Sequence, residues 1–175
     1  MQQVVLVDRR NHKIGVEEKL AAHKNSLLHR AISIFIFNSK GELLLQKRAK
    51  HKYHSASLWS NTVCSHPKPG ETFLQAAHRR LKEEMGFDCK LKKLYCFIYQ
   101  TTFENGLSEN EYDCVFVGEY GGEPVPDPAE VEAYRWQNLE DLKRDAAKRG
   151  NQYTFWLKLA LDQVATDHIK AIVKS

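Results

Sequence analysis

A loop that runs directly into a helix constrains this chain more than any other feature. Residues 55–70 are rich in Ser, Pro and Gly. Immediately after them, 72–85 places Leu74, Ala77, Leu81 and Met85 on one helical stripe, and Gly86 supplies a stop. A helix with a single apolar stripe must cover a sheet or another helix, and the rest of the chain supplies strands. Residues 4–7 read as a strand, 8–13 as a polar turn and 17–23 as a short helix. Residues 31–37 form a β-rich run that reverses at Asn38-Ser39-Lys40-Gly41 into Leu43-Leu44-Leu45, a hairpin pattern. Residues 94–103 and 112–120 read as a second strand pair, joined through Glu104-Asn105-Gly106 and Glu109-Asn110-Glu111. A strand over 131–136 and helices over 139–148 and 155–165 complete the pattern. Strands and helices mix without strict β-α-β alternation, so the expected class is α+β, a mixed α/β/α sandwich, in one domain spanning 1–175.

Charge is distributed unevenly. The net charge of +4 comes from 26 Lys+Arg and 22 Asp+Glu. Residues 1–103 hold 18 of the basic side chains and 8 of the acidic ones, whereas 104–141 hold 1 and 11. A basic half fits nucleic acid or a phosphorylated small ligand, and an acidic stretch fits cation binding. The longest apolar runs, such as 34–37, are far short of the roughly 20 residues a membrane span needs. With no basic segment leading into an apolar one at the start, a cytoplasmic protein is expected. Cys64, Cys89, Cys96 and Cys114 form no C-x-x-C pair, and the expectation is four reduced thiols, mostly small buried apolar residues.

The loop and helix also carry chemistry. Glu71 stands near the helix start, and Arg79-Arg80-Leu81-Lys82-Glu83-Glu84 follows. Carboxylates on such an edge suit Mg²⁺, which is commonly shared between few protein ligands and substrate phosphates. The plainer reading is that Arg80–Glu84 and Arg79–Glu83 are solvent-facing i,i+4 ion pairs, each worth about 0.2–0.5 kcal/mol. The box as a whole resembles the Nudix signature: Glu71, Arg79, Leu81, Glu83, Glu84, Gly86 and Phe87 match it. Ser65 stands where the signature has its first glycine, and Arg80 where it has a glutamate. In diphosphate-cleaving Nudix enzymes that glutamate helps assemble the metal cluster, so its replacement argues against hydrolysis on a retained fold.

Further segments narrow the resemblance. Leu28-His29-Arg30-Ala31 leading into 34–38, Leu58-Trp59-Ser60-Asn61-Thr62-Val63-Cys64-Ser65-His66-Pro67, and Ser108-Glu109-Asn110-Glu111 are together similar to the type I isopentenyl-diphosphate isomerases. The similarity extends over roughly residues 4–165. It implies reversible conversion of isopentenyl to dimethylallyl diphosphate, by protonation and deprotonation through a tertiary carbocation. It implies Cys64 and Glu111 as the acid–base pair, Tyr99 as a hydrogen-bond partner of the glutamate, and Trp156 as the aromatic face toward the cation. Lys19, Arg48, Lys52 and Arg80 match positions that hold the diphosphate, directly or through Mg²⁺ on Glu84. His23, His29 and His66, with Glu109 and Glu111, match a site for one divalent metal (Mn²⁺, Zn²⁺ or Mg²⁺). The alternative for the aromatics is core packing, and for Cys64 a structural thiol.

His12, His51, His54, His78 and His168 read as surface or packing residues. Relatives in this family commonly carry Pro-Gly before the Leu-Trp, where this chain has Ala56-Ser57. The competing functions are a Nudix hydrolase of nucleoside or prenyl diphosphates and a basic nucleic-acid-binding module. The second would want exposed aromatics interleaved with its Lys47–Lys52 cluster, and only Tyr53 offers one. The expected partner is therefore a small prenyl diphosphate, with neither nucleic acid nor membrane, bound by a monomer or weak dimer.

Overall fold

The structure, a computed structural model, describes the backbone of residues 2–172 and the side chains of residues 2–164. Its sheet is organised around one strand, β3 (His29–Phe37), where β-branched and aromatic residues run almost without interruption. Along its parallel neighbour β8 (Ser108–Glu119), His29 stands opposite Glu111 and Ser33 opposite Val115. On its other edge, Ser33 stands opposite Cys64 of β6 (Val63–Ser65). At its start it touches β1 (Gln3–Val7), which pairs with β2 (Lys13–Glu18). β7 (Leu91–Thr102) runs antiparallel to β8. A second group joins β4 (Leu43–Arg48) to β5 (Trp59–Ser60) and β9 (Val131–Gln137).

Alternation along β3 builds the layers. Ile32, Ile34 and Ile36 face one core with Ala76, Ala77, Leu81 and Met85 of α2 (Phe73–Met85). Phe35 and Phe37 face the other, against α3 (Leu139–Lys148) and α4 (Phe155–Ile172). Each of these fully buried side chains contributes about 1.5–3 kcal/mol, so β3 is held from both sides. The result is the expected α/β/α sandwich.

Capping explains the ends of α2. Thr72 and Gln75 form a reciprocal capping box at its start. Gly86 ends it at φ 76°, and a Cβ there would lie 2.3 Å from the Val125 carbonyl oxygen. Leu74 is 45 % exposed and leaves the expected stripe, because Phe73 packs in its place where the helix begins.

Other expectations change in the fold. The short helix α1 spans Lys19–Lys24, because Glu17 and Glu18 pair with β1 and Glu18 caps the helix through the Ala21 N–H (2.8 Å). The 31–45 hairpin reduces to the single pair Phe37–Leu43: both edges of β3 are taken, and β4 turns away to β9 and β5. Glu109-Asn110-Glu111 lies inside β8 rather than in a connection. The 55–70 loop contains β5 and β6. Cys96 and Cys114 are joined in a disulfide, contrary to the expectation of four thiols. They are 18 residues apart, and only the β7–β8 register sets them opposite each other.

Candidate active site

The basic half of the chain and the acidic strand β8 meet in one cavity of about 290 Å³, at the small end of ligand cavities, which run roughly 300–1,000 Å³. Lys19, Arg48, Lys52, Cys64, His66, Arg80, Glu84, Tyr99, Glu109, Glu111 and Trp156 all line it. His23 and His29 lie behind this wall, fully buried. The residues marked by the isomerase resemblance are thus brought to one place, whereas Glu71, Arg79 and Glu83 stay outside the cavity lining.

β8 makes the acidic wall. Successive side chains alternate across a strand, so Glu109, Glu111 and Asp113 share a face. His66 Nε2 lies 2.8 Å from Glu111 Oε1, His29 Nε2 3.6 Å from the same oxygen, and His23 Nε2 3.3 Å from Glu109 Oε2. His23 and His29 donate their Nδ1 protons to the carbonyls of Lys19 and Leu27, each at 2.7 Å. That tautomer turns an Nε2 lone pair toward the carboxylates, and burial keeps His66 neutral. Ligand atoms of His23, His29, His66, Glu109 and Glu111 all lie within 4.8 Å of one another. His23 Nε2, His29 Nε2 and Glu109 Oε2 are buried without a hydrogen-bond partner. Orphaned atoms of this kind are costly unless something occupies the space between them, and a cation with mixed nitrogen and oxygen ligands fits.

Glu111 is also reached by Tyr99, whose hydroxyl donates to Oε2 at 2.7 Å. Burial and then the Glu111 charge hold the Tyr99 phenol well above its ordinary range, so it stays a donor. For Glu111 itself, burial and the nearby Glu109 push the pKa up. The hydrogen bond from His66 and the imidazoles around it outweigh them and leave the carboxyl below its ordinary value.

Cys64 approaches from the opposite side of β3. Its Sγ donates to Asn61 Oδ1 at 2.9 Å and lies 3.7 Å from both Ser33 Oγ and Ser60 Oγ. Burial pushes the thiol up to about 12, so it is S–H rather than thiolate at neutral pH. Asn61 is locked by donating to the Ile34 and Val63 carbonyls. Trp156, on the first turn of α4, is buried and donates Nε1–H to Ser60 Oγ at 3.0 Å. Ser60 therefore spans the thiol and the indole.

Four cations line the same cavity. Arg80 donates Nε–H and Nη2–H to Glu84 Oε1 at 3.1 and 2.6 Å, and Nη2–H to Glu130 at 3.1 Å. Lys52 pairs with the same Glu130. Glu84 keeps its second oxygen on Gln46 at 2.9 Å. Arg48 lies 5.3 Å from the centre of the Trp156 ring and donates to the carbonyls of Ser55 and His54. Burial, with Lys52 nearby, pulls the Lys19 ammonium down to about 8. Arg79 takes no part in this: it clamps Glu71 through two bonds of 2.7 and 2.8 Å and fixes the loop beneath His66.

Several contributors carry no sequence signal. His54, read as a bland histidine, is buried, with Nε2 2.9 Å from Glu109 Oε1. Glu130 becomes the shared counter-ion of Lys52 and Arg80 only because β9 follows it. Asp113 is different. Period-two reading from Glu109 and Glu111 would have placed it on the same face, had that triplet been taken as strand. It accepts from Ser33 Oγ at 2.7 Å, and burial together with Glu111 raises its pKa well above the ordinary carboxyl value. His12 and His78 pair with Asp8 and Asp88 at or near the surface, and His51 stands exposed at the cavity rim. The side chain of His168 lies outside the described residues.

Comparison with known proteins agrees with this arrangement. A NUDIX domain is matched over residues 27–157. The chain is 52% identical over 162 residues to isopentenyl-diphosphate Delta-isomerase 2 of Aromatoleum aromaticum, covering 93% of this chain and 86% of that protein. It is 48% identical over 167 residues to isopentenyl-diphosphate Delta-isomerase 2 of Photorhabdus laumondii, covering 95% and 94%. Among solved structures it resembles a Deinococcus radiodurans protein (TM-score 0.78, 20% identity, 93% and 98% covered). A second likeness is to the MutT protein of Methanosarcina mazei (TM-score 0.66, 18% identity, 81% and 95% covered). At such identities these two likenesses speak to the fold alone. On fold, site geometry and sequence identity together, the chain belongs to the isopentenyl-diphosphate Delta-isomerase family, built on a NUDIX domain.

Proposed function

We propose that this protein interconverts isopentenyl and dimethylallyl diphosphate. The observation that carries the reading is the placement of a protonated thiol, Cys64, and an ionised carboxylate, Glu111, in one small cavity that four cations also line. The reaction adds a proton to one end of the alkene and removes another from the carbon on the far side of the cation. It consumes no other reagent. One residue gives a proton and the other takes one, each role contributing about 10²–10⁴-fold. Tyr99 holds Glu111 at one orientation. The buried face of Trp156 shelters the tertiary cation, worth about 2 kcal/mol in a desolvated site, and offers no nucleophile to trap it.

Lys19, Arg48, Lys52 and Arg80 take the diphosphate, with Glu84 placed to share Mg²⁺ with it; arginine forks pair two phosphate oxygens at once. His23, His29, His66, Glu109 and Glu111 would hold a second divalent metal, Mn²⁺, Zn²⁺ or Mg²⁺. When bound, that ion supplies positive charge beside Glu111 and sharpens its acidity. The Lys47–Lys52 cluster supports a small anion rather than nucleic acid: Lys47 pairs with Glu132, Lys52 with Glu130, and Arg48 turns into the cavity. Among the described residues no helix is long and apolar enough to cross a membrane. Action as a monomer or weak dimer and a cytoplasmic location belong to the same proposal.

The test is to incubate the purified protein with isopentenyl diphosphate and divalent metal, following dimethylallyl product and released phosphate together. Isomerisation without phosphate release is expected; phosphate release without isomerisation would instead establish a hydrolase. Cys64→Ala and Glu111→Gln are each expected to lower turnover at least about 10³-fold with an unchanged circular dichroism spectrum, near the upper part of the acid–base range.

A further inference from the structure

His54 has no part in the reading so far, yet its surroundings are specific. It is buried, and its Nε2 lies 2.9 Å from Glu109 Oε1, the oxygen that does not face His23. Its Nδ1 lies 3.3 Å from Ser55 Oγ, whose hydroxyl can donate to it. A carboxylate oxygen accepts, so Nε2 carries the proton aimed at it. The ring stacks on Phe103 (centroids 4.7 Å apart, 10° between planes) and meets Trp156 edge-on at 5.9 Å and 89°. Its own carbonyl accepts from Arg48 Nη2 at 3.3 Å.

We propose that His54 is a positioning residue that fixes the Glu109 carboxylate for the metal and ties it to the wall formed by Trp156 and Arg48. This inference rests on the metal assignment made above. Glu109 has two oxygens in a buried site, and a carboxylate free to rotate would present either one to His23, His29 and the ion. A hydrogen bond to Oε1 leaves Oε2 as the atom facing inward, and Oε2 is the one with no other partner. Partners that orient a metal ligand typically change metal affinity 10–100-fold when removed. Because the same residue packs against Trp156 and accepts from Arg48, the orientation of Glu109 is linked to both of these pocket residues.

Metal affinity, measured directly by titrating metal-free protein with Mn²⁺ and following free Mn²⁺ by electron paramagnetic resonance, tests this. His54→Phe keeps a ring to stack on Phe103 but loses the donor, and is expected to weaken Mn²⁺ binding about 10–100-fold. His54→Gln restores an N–H and is expected to recover at least about fivefold of that loss. In a Glu109→Gln background, His54→Phe should cause less than about twofold further loss, since the carboxylate it orients is gone. That cycle and His54→Gln keep the question answerable if His54→Phe alone folds poorly. If wild type binds Mn²⁺ and His54→Phe binds it within twofold of wild type, this inference is overturned while the metal site stands. Equal loss in His54→Phe with and without Glu109 would also overturn it. Failure of wild type to bind any of Mn²⁺, Zn²⁺ or Mg²⁺ would overturn both assignments.

Discussion

Trp156 serves packing and chemistry with one side chain, and the two can be separated. Its indole is buried at the cavity wall, anchored to Ser60. Trp156→Phe keeps an aromatic face but loses the N–H anchor; Trp156→Ala loses both and opens a void. If the face stabilises the cation by about 2 kcal/mol, Trp156→Ala should lower kcat about 30-fold or more, and Trp156→Phe only several-fold. Equal losses in steady-state assays would assign the residue to packing alone. Lys19 makes a pH prediction. Its pKa of about 8 lies below the ordinary lysine value because the group is partly buried beside Lys52. Only the ammonium form attracts the diphosphate, so kcat/KM should fall as pH rises through about 8. Lys19→Met should lose roughly 10–100-fold in kcat/KM at pH 7, matching a charged hydrogen bond of about 1.5–3 kcal/mol, and should lack that alkaline limb. An unchanged limb in the variant would place the titration elsewhere.

Between elements, two junctions matter most. Gly86 ends α2 in a left-handed conformation with Val125 against it. A methyl group there meets backbone rather than a flexible side chain, so Gly86→Ala should destabilise by about 2–4 kcal/mol, combining left-handed strain with overpacking. Urea denaturation checks this, and a loss below about 1 kcal/mol would mean the 125 segment moves freely. The other junction is the turn before β5, with Ser55 and Ser57 at φ 50° and 57°. Family relatives place glycine at the second of these positions, the residue for which that conformation carries no strain. Here Ser57 accepts the strain and donates to Glu132 at 2.9 Å. The departure from Pro-Gly thus leaves the turn in place, with His54 inside it.

Across the whole molecule, the division of charge along the chain becomes a division of space. Segments far apart in sequence bring cations to the cavity, and β8 brings it the carboxylates of the His/Glu cluster. The His/Glu cluster couples this arrangement to stability. Buried polar atoms there lack partners, among them His23 Nε2, His29 Nε2 and Glu109 Oε2, so metal binding relieves a cost that exists only in the folded state. Removing divalent metal with a chelator should abolish isomerisation and lower the Tm. At metal concentrations about 100 times Kd the stabilisation is about 2.7 kcal/mol, or some 5–10 °C for a chain of this length. A Tm unaffected by chelation, measured calorimetrically, would count against a metal in that cluster.

The sequence by itself determined what is local or periodic. The stripe and stop of α2, the apolar run of β3, the span of α3 and the Trp-x-Asn-x-x-Cys-x-His loop were all legible, because each is set by neighbours a few residues away. The motifs also named the residues that meet in the cavity. Only the tertiary structure decided what depends on which distant segments touch. It paired β3 with β8 rather than chiefly with β4, set Cys96 against Cys114, placed Glu130 between Lys52 and Arg80, and folded His54 onto Glu109. Hydrogen-bond register and burial are properties of pairs of segments, so no pattern within one segment encodes them. A histidine in a basic turn and a histidine locking a buried carboxylate are the same letter until the chain has closed around it.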